Sequence, residues 1–211
     1  MLKLFLLTMP FYMNPVAYDS ATQFHTLENV RPSDPDAPVT YDEVLDQAVS
    51  NCGKKRPETI DIKMLEDLIE VEKDFNVPAS MRGMILAAAC KESRYNPKAK
   101  GDRKFSKNKK KPMAIGLLQL WPIYEKMFPG LDRTDPIQSA RAWMTHIVRM
   151  IPKVKRQCKY RTEKRIWIAA WVTGIRYKKA GGRCNEVPLH LRTLKKWHRT
   201  IKRERKKADG C

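Results

Sequence analysis

The residue in this chain best suited to acid–base chemistry is Glu92. It closes the run Met81-Arg82-Gly83-Met84-Ile85-Leu86-Ala87-Ala88-Ala89-Cys90-Lys91-Glu92. On a helix turning about 100° per residue, Met81, Ile85, Ala88 and Glu92 fall in one narrow stripe. A carboxylate there continues an apolar face that should point into the core. Burial favours its neutral form, and so does the negative end of the helix dipole. A carboxyl group that keeps its proton near neutral pH can serve as a general acid. The alternative is a frayed last turn with Glu92 in water.

Beyond Glu92 the chain continues Ser93-Arg94-Tyr95-Asn96-Pro97, and later Ala114-Ile115-Gly116-Leu117-Leu118-Gln119-Leu120. This pair resembles the lytic transglycosylase and goose-type lysozyme superfamily, which has E-S-x-x-x-P after a helix and then G-L-M-Q. A third signature of that family, A-Y-N-A-G, is partly kept as Ala170-Trp171-Val172-Thr173-Gly174. It departs at the Tyr, Asn and second Ala positions. The resemblance covers residues 62–200. It implies a mainly α, lysozyme-like fold with little or no sheet. It also implies a muramidase that cuts the β-1,4 bond between N-acetylmuramic acid and N-acetylglucosamine in peptidoglycan, with Glu92 as its general acid.

The same resemblance distributes further roles. Ser93 and Gln119 match positions that hold the catalytic Glu and line the cleft. Gln119 is expected in the cleft with Leu118, and Ser93 in a structural place at the helix end. The local alternative for Gln119 is a side chain that caps backbone groups. Gly116 is read as allowing close backbone approach to a sugar or to a neighbouring element. Trp121, Tyr124, Trp171 and Tyr177 are the aromatics expected to be free to stack on sugar faces, while Trp167 goes to the core.

Glycoside cleavage also needs something to take up the anomeric carbon. Lytic transglycosylases use the sugar's own carbon-6 hydroxyl and leave an anhydro end. Goose-type lysozymes admit water, helped by an Asp. Asp102, in Gly101-Asp102-Arg103, is similar to the goose-type loop before G-L-M-Q, although the loop after it is longer. Trp121 stands where a second acidic residue follows the Gln motif in that family. The expectation is hydrolysis with Asp102 in the mechanism; the alternative is a plain loop carboxylate among lysines.

These residues must be positioned by helices. Thr40-Tyr41-Asp42-Glu43 is a capping box, predicting a helix to Cys52. Ile62, Leu65, Leu68 and Ile69 recur at helical spacing. Pro78 is expected to open the Glu92 helix near its first turn. Residues 94–113 read as a long basic loop, and 122–128 as a short helix. Asp135-Pro136 is an N-cap and N1 pair before the stripe Ile137, Ala140, Met144, Ile147 and Ile151. Trp167, Ala170 and Trp171 mark the next helix. His190, Leu194, Trp197 and Ile201 mark the last. No alternating strand pattern is apparent.

The 211 residues carry a net charge of +19, unevenly placed. Residues 1–90 hold 8 Lys and Arg against 14 Asp and Glu, whereas residues 91–211 hold 34 against 9. That asymmetry predicts a polyanionic partner for the second part, and anionic cell-wall polymers qualify alongside peptidoglycan itself. Two rival readings remain open: a non-catalytic basic module that binds nucleic acid or another polyanion, and membrane disruption by the basic C-terminal helix. Neither explains a carboxylate on an apolar helix face followed by a Gly-Leu-Leu-Gln turn, and no nucleic acid is expected as partner.

Residues 1–21 resemble a secretory signal, with a short apolar run and small residues at Ala17 and Ala21; residues 22–39 read as a linker and 40–211 as one catalytic domain. The apolar run is too short to span a bilayer, and no other stretch is long enough. The five cysteines form no C-x-x-C pair and no zinc-spaced cluster, so neither metal nor other cofactor is expected. For a periplasmic or secreted enzyme they predict one or two disulfides and an odd thiol.

Overall fold

Why α-helices dominate is visible from the centre outward. The computed structural model describes residues 34, 37–52, 60–103, 111–158, 162–175 and 188–208. Their elements are α1 (Tyr41–Cys52), α2 (Ile62–Lys73), a 3₁₀ turn (Ala79–Met81), α3 (Met84–Ser93), β1 (Lys100–Gly101), β2 (Ala114–Ile115), α4 (Ile123–Met127), α5 (Pro136–Cys158), α6 (Glu163–Ile175) and α7 (Leu189–Ala208). The protein is therefore mainly helical, with one short antiparallel pair in which Lys100 faces Ile115 and Gly101 faces Ala114. Among the described residues no helix is long and apolar enough to cross a membrane. The expected signal segment and most of the expected linker lie outside the described residues.

Helix α3 is the hub. Every residue from Met84 to Ala89 is buried, so it is apolar all round, as a central helix must be. Helices α1, α2 and α7 pack on it, and α5 lies against α2 and α6. The helix begins later than the Pro78 signal predicts. Pro78 opens the 3₁₀ turn instead; Arg82 is extended, and Gly83 takes a left-handed conformation with φ 84°. A side chain at Gly83 would collide with Val44 of α1. Met81 is buried, but it belongs to the turn and not to the helix that carries Glu92.

With glycine at its N-cap, α3 has no local side chain to satisfy its first N–H groups. Glu72 of α2 supplies the cap: one carboxylate oxygen accepts from Gly83 N at 2.6 Å and the other from Ile85 N at 2.9 Å. Burial pushes the Glu72 carboxyl up to about 7, against the pull of those two N–H groups, the Tyr41 hydroxyl and Arg82.

Two further anchors close the fold. The Thr40–Glu43 capping box forms as expected. Glu43 also takes a bidentate pair from the buried Arg205 of α7, at 2.7 and 2.6 Å. Burial alone would raise the Glu43 carboxyl, but Arg205 and the Thr40 donors outweigh it and hold it below its usual range. Arg205 also donates to the carbonyls of Asp34, Ala37 and Pro38. With Ala37 and Val39 buried, the folded unit begins slightly before residue 40. A disulfide joins Cys52 at the end of α1 to Cys90 of α3, and Cys158 is disulfide-bonded as well.

Candidate functional site

Glu92 leaves the core instead of continuing it. It stands in the last turn of α3, where the helix passes out of the apolar centre, and its side chain is 35% exposed. This corrects the expected burial. The stripe through Ile85 and Ala88 is buried as spaced, but α3 ends at Ser93, so the fourth member of the stripe reaches the surface. What meets the carboxylate is His190 of α7: its Nε2 lies 2.5 Å from Glu92 Oε1. His190 is 7% exposed and lies nearly parallel to the Trp171 ring, with 5.7 Å between centroids and 11° between planes. Trp143 of α5 packs edge-on against Trp171 at 5.7 Å and 86°. His190 Nδ1 and Trp171 Nε1 are both buried without a hydrogen-bond partner among the described residues.

The chain turns sharply after Glu92. Arg94 and Tyr95 both take left-handed backbone conformations, φ 54° and 63°, which non-glycine residues adopt rarely. The turn is held by Arg94 N and Tyr95 N donating to Cys90 and Ala89 carbonyls, a helix-ending pattern. The buried Tyr95 anchors it through a hydroxyl bond to the Leu86 carbonyl. Ser93 Oγ donates to the Ala89 carbonyl, the structural place expected of it. Tyr95 carried no signal beyond its place inside the first motif.

The second motif docks directly on the segment that follows. Gly116 N and Gln119 Nε2 both donate to the Ala99 carbonyl, at 2.9 and 3.2 Å. Gln119 Nε2 also donates to its own turn at Gly116 O, and its Oε1 sits where a side chain at Gly101 would stand. Gln119, half-buried, thus caps backbone groups, the local alternative read for it. Gly116 has φ 82°, and a side chain there would collide with the Arg133 carbonyl; the close approach is to the segment before α5. Arg133, not anticipated from sequence, is buried and donates to the carbonyls of Leu120 and Met113 and to Glu125.

Three other expected contacts become core. Leu118 is buried. Tyr124 is buried between Phe128, stacked on it, and His146, edge-on, and burial raises its hydroxyl far above the ordinary tyrosine range. Trp171 has no accessible surface. None of the three offers a face to a sugar, which corrects the expectation that Tyr124 and Trp171 were free to stack. Trp167 is in the core as expected. Tyr177 lies outside the described residues.

Asp102 is exposed and left-handed at φ 53°. Its Oδ2 accepts from the indole N–H of Trp121 at 3.0 Å, so the loop carboxylate is tethered across the small sheet. Trp121 is 38% exposed, one of the large apolar side chains left at the surface. Among the described residues no group of three or more His, Cys, Asp and Glu side chains is arranged to hold a metal ion. His190 is the residue that sequence reasoning placed correctly but undervalued. Its position on the apolar stripe of α7 is legible; its pairing with a carboxylate 98 residues away is not.

No protein-family model matches the chain, and no curated protein or solved structure matches it either.

Proposed function

We propose that the protein is a peptidoglycan-cleaving muramidase in which Glu92 protonates the leaving glycosidic oxygen. One observation supports the reading: the three segments that resemble the lytic transglycosylase and goose-type lysozyme signatures are linked to one another by contacts around the end of the helix that bears Glu92. The first bears Glu92 itself. The second is bonded to the continuation of the first through the Ala99 carbonyl. The third supplies Trp171, which stacks on the His190 that meets the carboxylate. Exposure of Glu92 suits a substrate that is an extended polymer. The disulfides suit an oxidising periplasmic or secreted setting.

Hydrolysis is the proposed outcome, with Asp102 orienting water. Trp121 engages one Asp102 oxygen, and the other has no protein donor among the described residues. Digestion of purified peptidoglycan followed by mass spectrometry tests this. Reducing muramic-acid ends are expected, with loss of product in Asp102→Asn. Anhydro ends would replace hydrolysis by the lytic route, and intact wall would overturn the enzyme reading.

A second reading has one observation in its favour. The exposed face of α7 carries Arg192, Lys195, Lys196, Arg199, Arg203, Lys206 and Lys207, a surface that suits a polyanion. Salt-sensitive binding to nucleic acid without wall cleavage would favour it.

A further inference from the structure

We propose that His190 is the positioning residue of the acid. It donates its Nε2 proton to Oε1 of Glu92 throughout the reaction, leaving Oε2 as the oxygen that carries and delivers the catalytic proton. The proposal rests on the glycosidase reading of Glu92.

His190 Nδ1 has no hydrogen-bond partner among the described residues and no exposed surface. A buried N–H left without an acceptor is rarer and more costly than an under-used lone pair. Nδ1 is therefore the bare nitrogen, and the single proton of the neutral ring sits on Nε2. Nε2 in turn lies 2.5 Å from Glu92 Oε1, so the bond runs from His190 to the carboxyl group.

The ring cannot swing away from this duty. Trp171 covers it at an interplanar angle of 11°, and Trp171 is itself fixed by burial and by the edge of Trp143. Trp171 stands at the Tyr position of the partly kept third signature. Its departure from that signature thus has a use: a flat, apolar platform that sets the plane of the histidine.

The proton comes from the pair, while the anomeric carbon is taken up by the water that Asp102 orients. Oε2–H gives its proton to the glycosidic oxygen, and the carbon–oxygen bonding pair goes to that oxygen. Glu92 is left as a carboxylate. Its new charge is met by the Nε2–H that was already in place, and a hydrogen bond to a charged acceptor is the stronger one. The contact therefore strengthens as the proton leaves, which is the condition for lowering the barrier.

The test compares wild type, His190→Phe and His190→Gln in peptidoglycan digestion. The phenyl ring keeps the stack on Trp171 and has no donor; the glutamine amide carries a donor close to the Nε2 position. His190→Phe is expected to lower kcat roughly 10- to 100-fold with KM little changed, and His190→Gln to recover most of that loss. Nitrogen-15 spectra of the wild-type imidazole, which do not depend on activity or on any variant folding, should show Nε2 protonated and Nδ1 bare. Wild-type kcat in His190→Phe, or a protonated Nδ1 in the wild-type spectra, overturns the role and leaves the glycosidase reading standing. A wild type that leaves peptidoglycan uncut removes that reading and the role together.

Discussion

Glu92 combines three properties that rarely coincide on one carboxylate. It is carried by a helix buried from Met84 to Ala89, it is open to solvent, and it is met by one ring nitrogen. Position on a rigid element is what a proton donor needs, because misplacement by an ångström costs rate. Glu92→Gln keeps the shape and removes the transferable proton. It should fold as the wild type does and lose activity by roughly 10²- to 10⁴-fold, the usual worth of a general acid; turnover of purified peptidoglycan checks it. Near-normal turnover would remove Glu92 from the mechanism.

At the scale of elements, α3 depends on residues that do not belong to it. Glu72 caps its first turn from α2, and the folded protein holds that carboxyl at about 7 against an ordinary value of 4.5. A raised carboxyl favours the neutral form in the folded state. Its contribution to stability is full below the ordinary value and is lost as pH rises through about 7. Over that window the wild type should lose on the order of 3 kcal/mol relative to Glu72→Gln, whose side chain does not titrate. Chemical denaturation of both proteins at about pH 5 and about pH 8 measures the difference, and parallel curves would refute the assignment. At the other end of the helix, the Cys52–Cys90 bridge closes a separation of 38 residues. Its removal by Cys52→Ser with Cys90→Ser should cost about 2–4 kcal/mol, read as a lower denaturation midpoint.

The whole molecule is polarised in charge. The second part of the chain holds the excess of Lys and Arg, and α7 turns its apolar side inward through Leu191, Leu194, Trp197 and Ile201. Its charged side is left outward, beginning two residues beyond His190. Binding to sacculi or to anionic wall polymer should therefore weaken as salt rises from about 0.05 to about 0.5 M, since the Debye length shrinks below the spacing of such contacts. Charge reversal at Arg192, Lys195, Lys196 and Arg199 should reduce binding and flatten its salt dependence. These side chains are exposed, so thermal stability should change little. Co-sedimentation with wall at two salt concentrations decides the matter; equal binding at both would remove electrostatics from the account.

Local chemistry was legible in the chain itself. Helix periodicity, the Thr40–Glu43 box, the Asp135 cap before Pro136 and the buried stripes of α5 and α7 depend on neighbours within a turn or two, and they form as read. So did the placing of Glu92 at a helix end and of Trp167 in the core. What tertiary structure alone decided were the contacts between distant segments. The α3 start is displaced from Pro78 because Gly83 must pass close to Val44, and its cap comes from Glu72, eleven residues earlier. Gln119 turns to the Ala99 carbonyl, and the fully buried Trp171 to His190. A stripe on a helix says which side is apolar. It does not say where the core ends along the axis, and that boundary is what left Glu92 in reach of solvent and of a histidine from the last helix.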